Sequence, residues 1–109
     1  MMTREFSWSR SEKVVARRVY DSAYERECTK ILNKVKEMIV DLKDPKDIWK
    51  IEDYLEKKRT EVNAKYDYRY SVLIGVLGRL MKEKLVIDSE IQELDQDKIT
   101  AIRRISSSL

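Results

Sequence analysis

The sequence predicts an all-α protein built as an elongated helical stalk plus a small helical head, assembled as a homodimer. Three observations predict it. Two glycines and one proline among 109 residues leave few places to punctuate strands, while Lys, Glu, Arg, Leu and Ile are abundant. The first helix, with no glycine or proline from 9 to 43, would run about 50 Å at 1.5 Å per residue, longer than the roughly 35 Å diameter of a compact chain of this size. The second helix places charges along its apolar seam, which a second copy could cover and neutralise.

The first helix starts at a capping box, Ser9 with Glu12 three residues on, and carries an apolar stripe of Tyr24, Cys28, Ile31, Val35, Met38 and Leu42. Cys28, the single cysteine, excludes an internal disulfide and is expected to be a small core residue of that stripe. The second helix begins with Asp44 as N-cap, Pro45 in the first helical position and Asp47 at N3, where its charge favours the positive end of the helix. Its end is open: Asp67 either caps a third helix or lies within a longer one. The run "YRYSVLIGVLGRLM" has the aromatic and β-branched residues of a strand, but no partner strand exists elsewhere, so it is expected to be a buried helix. Residues 82–84 form its polar exit. Asp88 is expected to cap a short helix over 89–94, and Asp95 or Asp97 to begin a last helix carrying Ile99, Ile102 and Ile105, with the closing "SSSL" frayed. Residues 1–109 therefore form one domain, about 9–67 stalk and about 68–109 head.

On the second helix Ile48, Leu55, Val62 and Tyr66 recur at three-four spacing, and the gaps fall on Glu52 and Arg59. Arg59 lies about 20° and Glu52 about 40° from Ile48 on a helical wheel, so both project near the apolar centre. Neither charge tolerates burial alone. They are two turns apart, roughly 10 Å, too far to bond on a straight helix. An antiparallel crossing with a second copy would let Arg59 meet Glu52 or Asp53 of the partner subunit, with Trp49 and Asp53 bordering the crossing. The alternative is that Arg59 snorkels from the edge of a monomeric core.

Charged residues make up 39% of the chain, against about 25% in an average protein. The 23 basic and 20 acidic residues alternate, so the net +3 exerts no strong pull toward nucleic acid or anionic lipid. The longest uncharged stretch, 70–78, is far short of the roughly 20 residues of a membrane span, and "MMTREFSWSR" lacks the apolar core of a signal peptide. The expected location is the cytoplasm. With no histidine, no nucleophile beside a base and no glycine-rich phosphate loop, no catalytic or metal-binding residues stand out and no cofactor is implied.

Several blocks, namely "WS" at 8–9, "YERE" at 24–27, "DIWKIEDYLEKKRTEVNAKYDYRYSVLI" at 47–74 and "RLMKEKLV" at 79–86, resemble the fluorescence recovery protein family of cyanobacteria. The resemblance implies a cofactor-free, non-enzymatic helical homodimer that binds the photoactivated orange carotenoid protein, largely through its C-terminal domain. It further implies acceleration of the red-to-orange reversion and relief of phycobilisome quenching, in the cytoplasm or at the cytoplasmic side of thylakoids. By matching, Trp49, Asp53 and Arg59 would support dimer and activity, and Tyr68, Arg69, Gly75, Leu77 and Ala101 would belong to the partner-binding head. The chain departs from the family where Glu52 replaces a common histidine, where Gly75 and Leu77 replace phenylalanines, and where Ala101 replaces a lysine. Two other classes stay open: a dimeric helical adaptor without a carotenoid-protein client, and a helix-turn-helix nucleic-acid binder using Arg103 and Arg104, the latter opposed by the carboxylates at Asp88, Glu90, Glu93, Asp95 and Asp97.

Overall fold

Ser9 and Glu12 start the first helix as their spacing demands. The Ser9 hydroxyl accepts the Glu12 N–H and the Glu12 carboxylate accepts the Ser9 N–H, both at 3.1 Å, and α1 (Arg10–Val40) follows. The structure is a computed structural model that describes residues 6–108. After α1 come a 3₁₀ turn (Pro45–Asp47), α2 (Ile48–Lys65), α3 (Leu73–Lys82), a second 3₁₀ turn (Asp88–Ile91) and α4 (Gln96–Ser108), with no strand among the described residues. Asp44 caps the first 3₁₀ turn through the Lys46 N–H at 2.9 Å, and Pro45 occupies a position where its missing N–H costs nothing.

The molecule extends 53 × 30 × 23 Å with a radius of gyration of 16.9 Å, against about 13 Å for a compact chain of this length. The elongation comes from α1, whose two halves do different work. Val15, Ala16, Val19 and Ala23 of the first half are buried against Leu73, Ile74, Leu77 and Leu80 of α3, together with Leu85, Val86, Ile91, Leu94, Ile99 and Ile102. The second half leaves this core and pairs with α2 as a hairpin. Stalk and head thus share one helix.

Inside the head α3 and α4 cross closely because Gly78 carries no side chain. A Cβ there would stand 2.5 Å from Ile105 Cγ2 and 2.7 Å from its Cβ, with the Ile102 carbonyl oxygen at 3.3 Å. Gly75, one turn earlier, faces open space, with nothing within 4 Å of the same added atom. The end of α3 is a tight reversal. Lys84 takes φ 63°, the left-handed conformation usually left to glycine, and the Leu85 and Val86 N–H groups both donate to the Leu80 carbonyl at 2.8 and 3.3 Å. That reversal drops Leu85 and Val86 into the core.

Three ion-pair clusters hold these parts together. Lys98, 1% exposed, donates to Glu12 at 3.1 Å, and the same carboxylate accepts the Asp95 N–H at 2.9 Å, so the start of α1 is fastened to the start of α4. Arg26 makes a two-pronged pair with Glu90 at 2.6 and 2.9 Å and donates to the Leu85 carbonyl at 2.8 Å. Lys65, 6% exposed at the last turn of α2, meets Glu27 of α1 and Glu83 beyond α3, each at 2.7 Å. Burial pushes the Glu12, Glu83 and Glu90 carboxyls upward, but the N–H groups and cations around them outweigh it and hold all three below the usual carboxylate range.

Several expectations are corrected. Cys28 is exposed rather than a core residue, because the stripe it belongs to has left the head before residue 28. α1 ends at Val40 rather than at 43. Asp67 caps nothing; it pairs with Arg69 at 2.6 Å in the extended segment between α2 and α3. The expected helix over 89–94 is a 3₁₀ turn, and Asp88 pairs with Arg103 at 2.7 Å instead of capping it. The serines at 106–108 are helical rather than frayed; Ser107 and Ser108 donate their hydroxyls to the carbonyls of Arg103 and Ile105 at 3.0 and 3.2 Å. Leu109 lies outside the described residues.

The two glycines separate cleanly in a stability measurement. Gly78→Ala must push α4 away and is expected to cost about 1–3 kcal/mol, whereas Gly75→Ala is expected to stabilise by about 0.5–1 kcal/mol. Urea midpoints of the two variants should move in opposite directions; shifts of the same sign would refute the crossing. A second expectation concerns pH. Because the folded-state pKa values of Glu12, Glu83 and Glu90 are depressed, their contribution is present in full above the unfolded carboxylate value, about 4.3, and disappears as pH falls through the folded values. The chain has no histidine. Midpoints should therefore be level from about pH 8 to 5 and fall below about 4.5; a midpoint as high at pH 3 as at pH 7 would remove these clusters from the account.

Candidate functional site

α2 presents an exposed face that its own chain does not cover. Ile51, Val62 and Lys65 turn inward, and Ile48, Trp49, Leu55 and Arg59 turn outward, together with Glu52 and Glu56, around an open groove of about 670 Å³. Trp49 is 63% exposed, Leu55 42% and Ile48 53%. On α1 the same end of the hairpin exposes Leu32, Ile39 and Val40. Scattered apolar residues on a surface need no explanation, but a contiguous set including a tryptophan marks an interaction face.

The charges on this face differ from those that tie the fold together, where Lys65, Lys98, Arg26 and Arg103 each hold a carboxylate. Among the described residues neither Glu52, Asp53 nor Arg59 has an ion-pair partner within the chain, and all three are exposed. The structure thus brings Trp49, Glu52 and Arg59 onto one groove, while Asp53 sits beside it on the next face of the helix. Glu52 and Arg59 do not lie in a buried seam of the monomer.

The head residues divide. Tyr68 and Tyr70 belong to a ladder of rings that straps the 66–72 segment across α1: Trp8 to Tyr70 at 5.8 Å, Tyr70 to Tyr68 at 5.5 Å, Tyr68 to Tyr20 at 4.8 Å, Tyr20 to Tyr66 at 5.4 Å and Tyr66 to Tyr24 at 5.2 Å. The last four contacts are edge-to-face, the geometry the ring quadrupole favours. Burial, then the Glu27 charge nearby, pushes the Tyr66 phenol well up, so it stays neutral. Arg69 is exposed and held by Asp67. Gly75 is exposed on α3. Ala101 lines an open groove of about 320 Å³ between α3 and α4 with Tyr70, Ile74, Arg104 and Ile105. Leu77 is wholly buried in the core and reaches no surface.

Sequence reading missed the role of Gly78, whose only signal was a second glycine in "GVLG", and missed the tyrosine ladder, although "YDYRY" is legible as an aromatic cluster. No group of three or more Cys, Asp or Glu among the described residues is arranged to hold a metal ion, and no helix among them is long and apolar enough to cross a membrane. Arg103, part of the helix-turn-helix reading, is engaged by Asp88 rather than turned toward a phosphate backbone.

The comparisons with known proteins agree across the chain. The family model described as photoprotection regulator fluorescence recovery protein matches residues 8–106. The chain is similar to the fluorescence recovery protein of Synechocystis sp., 36% identical over 106 residues, 97% of each chain. Among solved structures, the fluorescence recovery protein of Fremyella diplosiphon aligns with a TM-score of 0.85 at 40% identity, covering 93% of this chain and 99% of that one. The Synechocystis structure aligns with a TM-score of 0.86 at 36% identity and the same coverage.

Proposed function

The chain belongs to the fluorescence recovery protein family of photoprotection regulators, and from that premise we propose that it is a non-enzymatic, dimeric binding protein for the photoactivated orange carotenoid protein. In this reading it engages the client largely through the C-terminal domain, accelerates the red-to-orange reversion and relieves phycobilisome quenching. The observation that carries the reading is the α2 face, where Trp49, Leu55 and the unpaired Glu52 and Arg59 line a groove that nothing in the chain fills, with the unpaired Asp53 beside it. A second copy crossing antiparallel covers the apolar residues and sets Arg59 against Glu52 or Asp53 of the partner subunit.

Leu55→Glu tests the dimer without disturbing the monomer, since Leu55 lies on the surface of the isolated chain. Light scattering is expected to give twice 13.0 kDa for the natural chain and 13.0 kDa for the variant, with unchanged helical circular dichroism. A natural chain of 13.0 kDa across the micromolar range would end the dimer proposal.

The client-facing head is altered at Gly75 and Ala101, both reachable from solvent, while Leu77 acts only as core. Losing an aromatic anchor at a hot spot forfeits about 2–4 kcal/mol, which is 30-fold or more in affinity. Binding to the carotenoid protein's C-terminal domain is therefore expected to be retained but weak, with a modest acceleration of reversion followed by absorbance at equimolar protein. Gly75→Phe is expected to strengthen both, because Gly75 is exposed and an added Cβ there meets nothing within 4 Å. An unchanged reversion rate at large excess, with no complex and no gain from Gly75→Phe, would leave the dimeric adaptor as the function.

A further inference from the structure

The first half of α1 is buried on one side only. Its other side carries Arg10, Lys13, Val14, Arg17, Arg18 and Asp21 at helical spacing, lining an open depression of about 530 Å³. Four cations and one carboxylate give this single face a formal charge equal to the +3 of the whole chain, so the remainder of the molecule is balanced. The face lies on the N-terminal half of α1, away from the α2 groove.

Its charges are available and in place. Among the described residues neither Arg10 nor Lys13 has a carboxylate partner. Arg17 bonds Asp21 at 3.2 Å and Arg18 meets Glu93, and these pairs are more than half exposed; such pairs contribute little and exchange readily for a partner's carboxylates. The tyrosine ladder positions two of the cations: Lys13 Nζ sits 5.1 Å from the Tyr70 ring centre, and the Arg17 guanidinium 4.6 Å from that of Tyr68 and 5.5 Å from that of Tyr20. Cations held over rings lose less freedom on binding.

We propose that this face of α1 docks an acidic protein surface, a cluster of carboxylates around an apolar side chain. Val14, 63% exposed, supplies an apolar centre among arginines and a tyrosine, the composition of a protein interface, and a phosphate backbone has no use for it. The cations from 10 to 18 span about 12 Å of helix, and Asp21, Glu25 and Glu93 bound them. A continuous polyanion leaving the patch would meet those carboxylates within about one Debye length, roughly 8 Å. A lipid surface is disfavoured as well, since the apolar side of this helix is committed to the core and cannot enter a bilayer.

A ¹⁵N-labelled protein titrated with a glutamate-rich helical peptide bearing one central leucine tests the proposal. Shifts are expected at residues 10–21 and around Tyr68 and Tyr70, fading between about 50 and 300 mM salt. Arg10→Glu with Lys13→Glu is expected to weaken binding about tenfold or more, whereas the charge-matched pair Lys36→Glu with Lys43→Glu leaves it within about twofold. Equal weakening by both pairs, shifts centred elsewhere, or no peptide binding at millimolar concentration would overturn the proposal. So would tighter binding to a DNA duplex or to phosphatidylglycerol vesicles at the same salt.

Discussion

The constraint on which the structure depends is the length of α1. A helix of 31 residues cannot be enclosed by a core that the remaining chain is able to build. Its first half is therefore spent on the head, where Val15, Ala16, Val19 and Ala23 pack on α3 and the segments around α4. The second half has only α2 beside it, and two helices side by side bury one stripe each. Everything distinctive about the surface follows: the exposed Trp49 and Leu55, the half-buried Ile31 and Val35, and an elongated shape instead of a globule. A hairpin of this kind is a structure with a side left over, the side that the proposed dimer would cover.

Charge placement shows a division of its own. Glu12, Lys65 and Lys98 are buried, yet each has carboxylate, ammonium or N–H partners from a different element. A buried ion of this kind is poor evidence for raw stability, since desolvation offsets most of the attraction. What it supplies is register: Glu12 accepts the Asp95 N–H and meets Lys98 only if the starts of α1 and α4 meet, and Lys65 reaches both its carboxylates only if α2 ends between Glu27 and Glu83. Arg59 and Glu52, on the stalk, have no such obligations within the chain. Among the described residues, charges that lock the fold thus stand beside others the chain leaves unpaired, Arg59 and Glu52 on the stalk and Arg10 and Lys13 on the head.

How much of this was legible in the sequence depends on how local the cause is. Helix starts were readable because a cap is a bond between residues three apart, as at Ser9 with Glu12 and at Asp44 with Asp47. The helical character of "YRYSVLIGVLGRLM" was readable from the lack of any partner strand, and α3 occupies most of it. Burial was not readable on α1, because the stripe through Cys28 continues unchanged past the point where the head stops covering it. Periodicity reports which residues share a face, not whether anything lies against that face. The helical serines at 106–108 defeated propensity for a related reason: Ser107 and Ser108 satisfy their hydroxyls on the preceding turn, a bond their identity permits but does not announce.

The pair Gly75 and Gly78 shows where surface and packing part company in the head. Both interrupt the same helix, and sequence alone assigns them the same cost. At Gly78 the absent side chain is what lets α4 lie against α3, so the residue belongs to the packing of Ile102 and Ile105. At Gly75 the absent side chain serves no contact, and the helix bears its entropic cost without return inside the molecule. A position that is open, exposed and one turn from the tightest crossing in the head is one where a side chain can be added without moving the core. Leu77, between the two, has the opposite character, because any change there reaches Leu73, Leu80 and Ile102 before it reaches a partner. Surface chemistry and head stability are therefore separable at Gly75 and inseparable at Leu77, while Ala101, half-buried against the core, stands between the two, so the surface of α3 can change at Gly75 while the packing around Leu77 holds the fold constant.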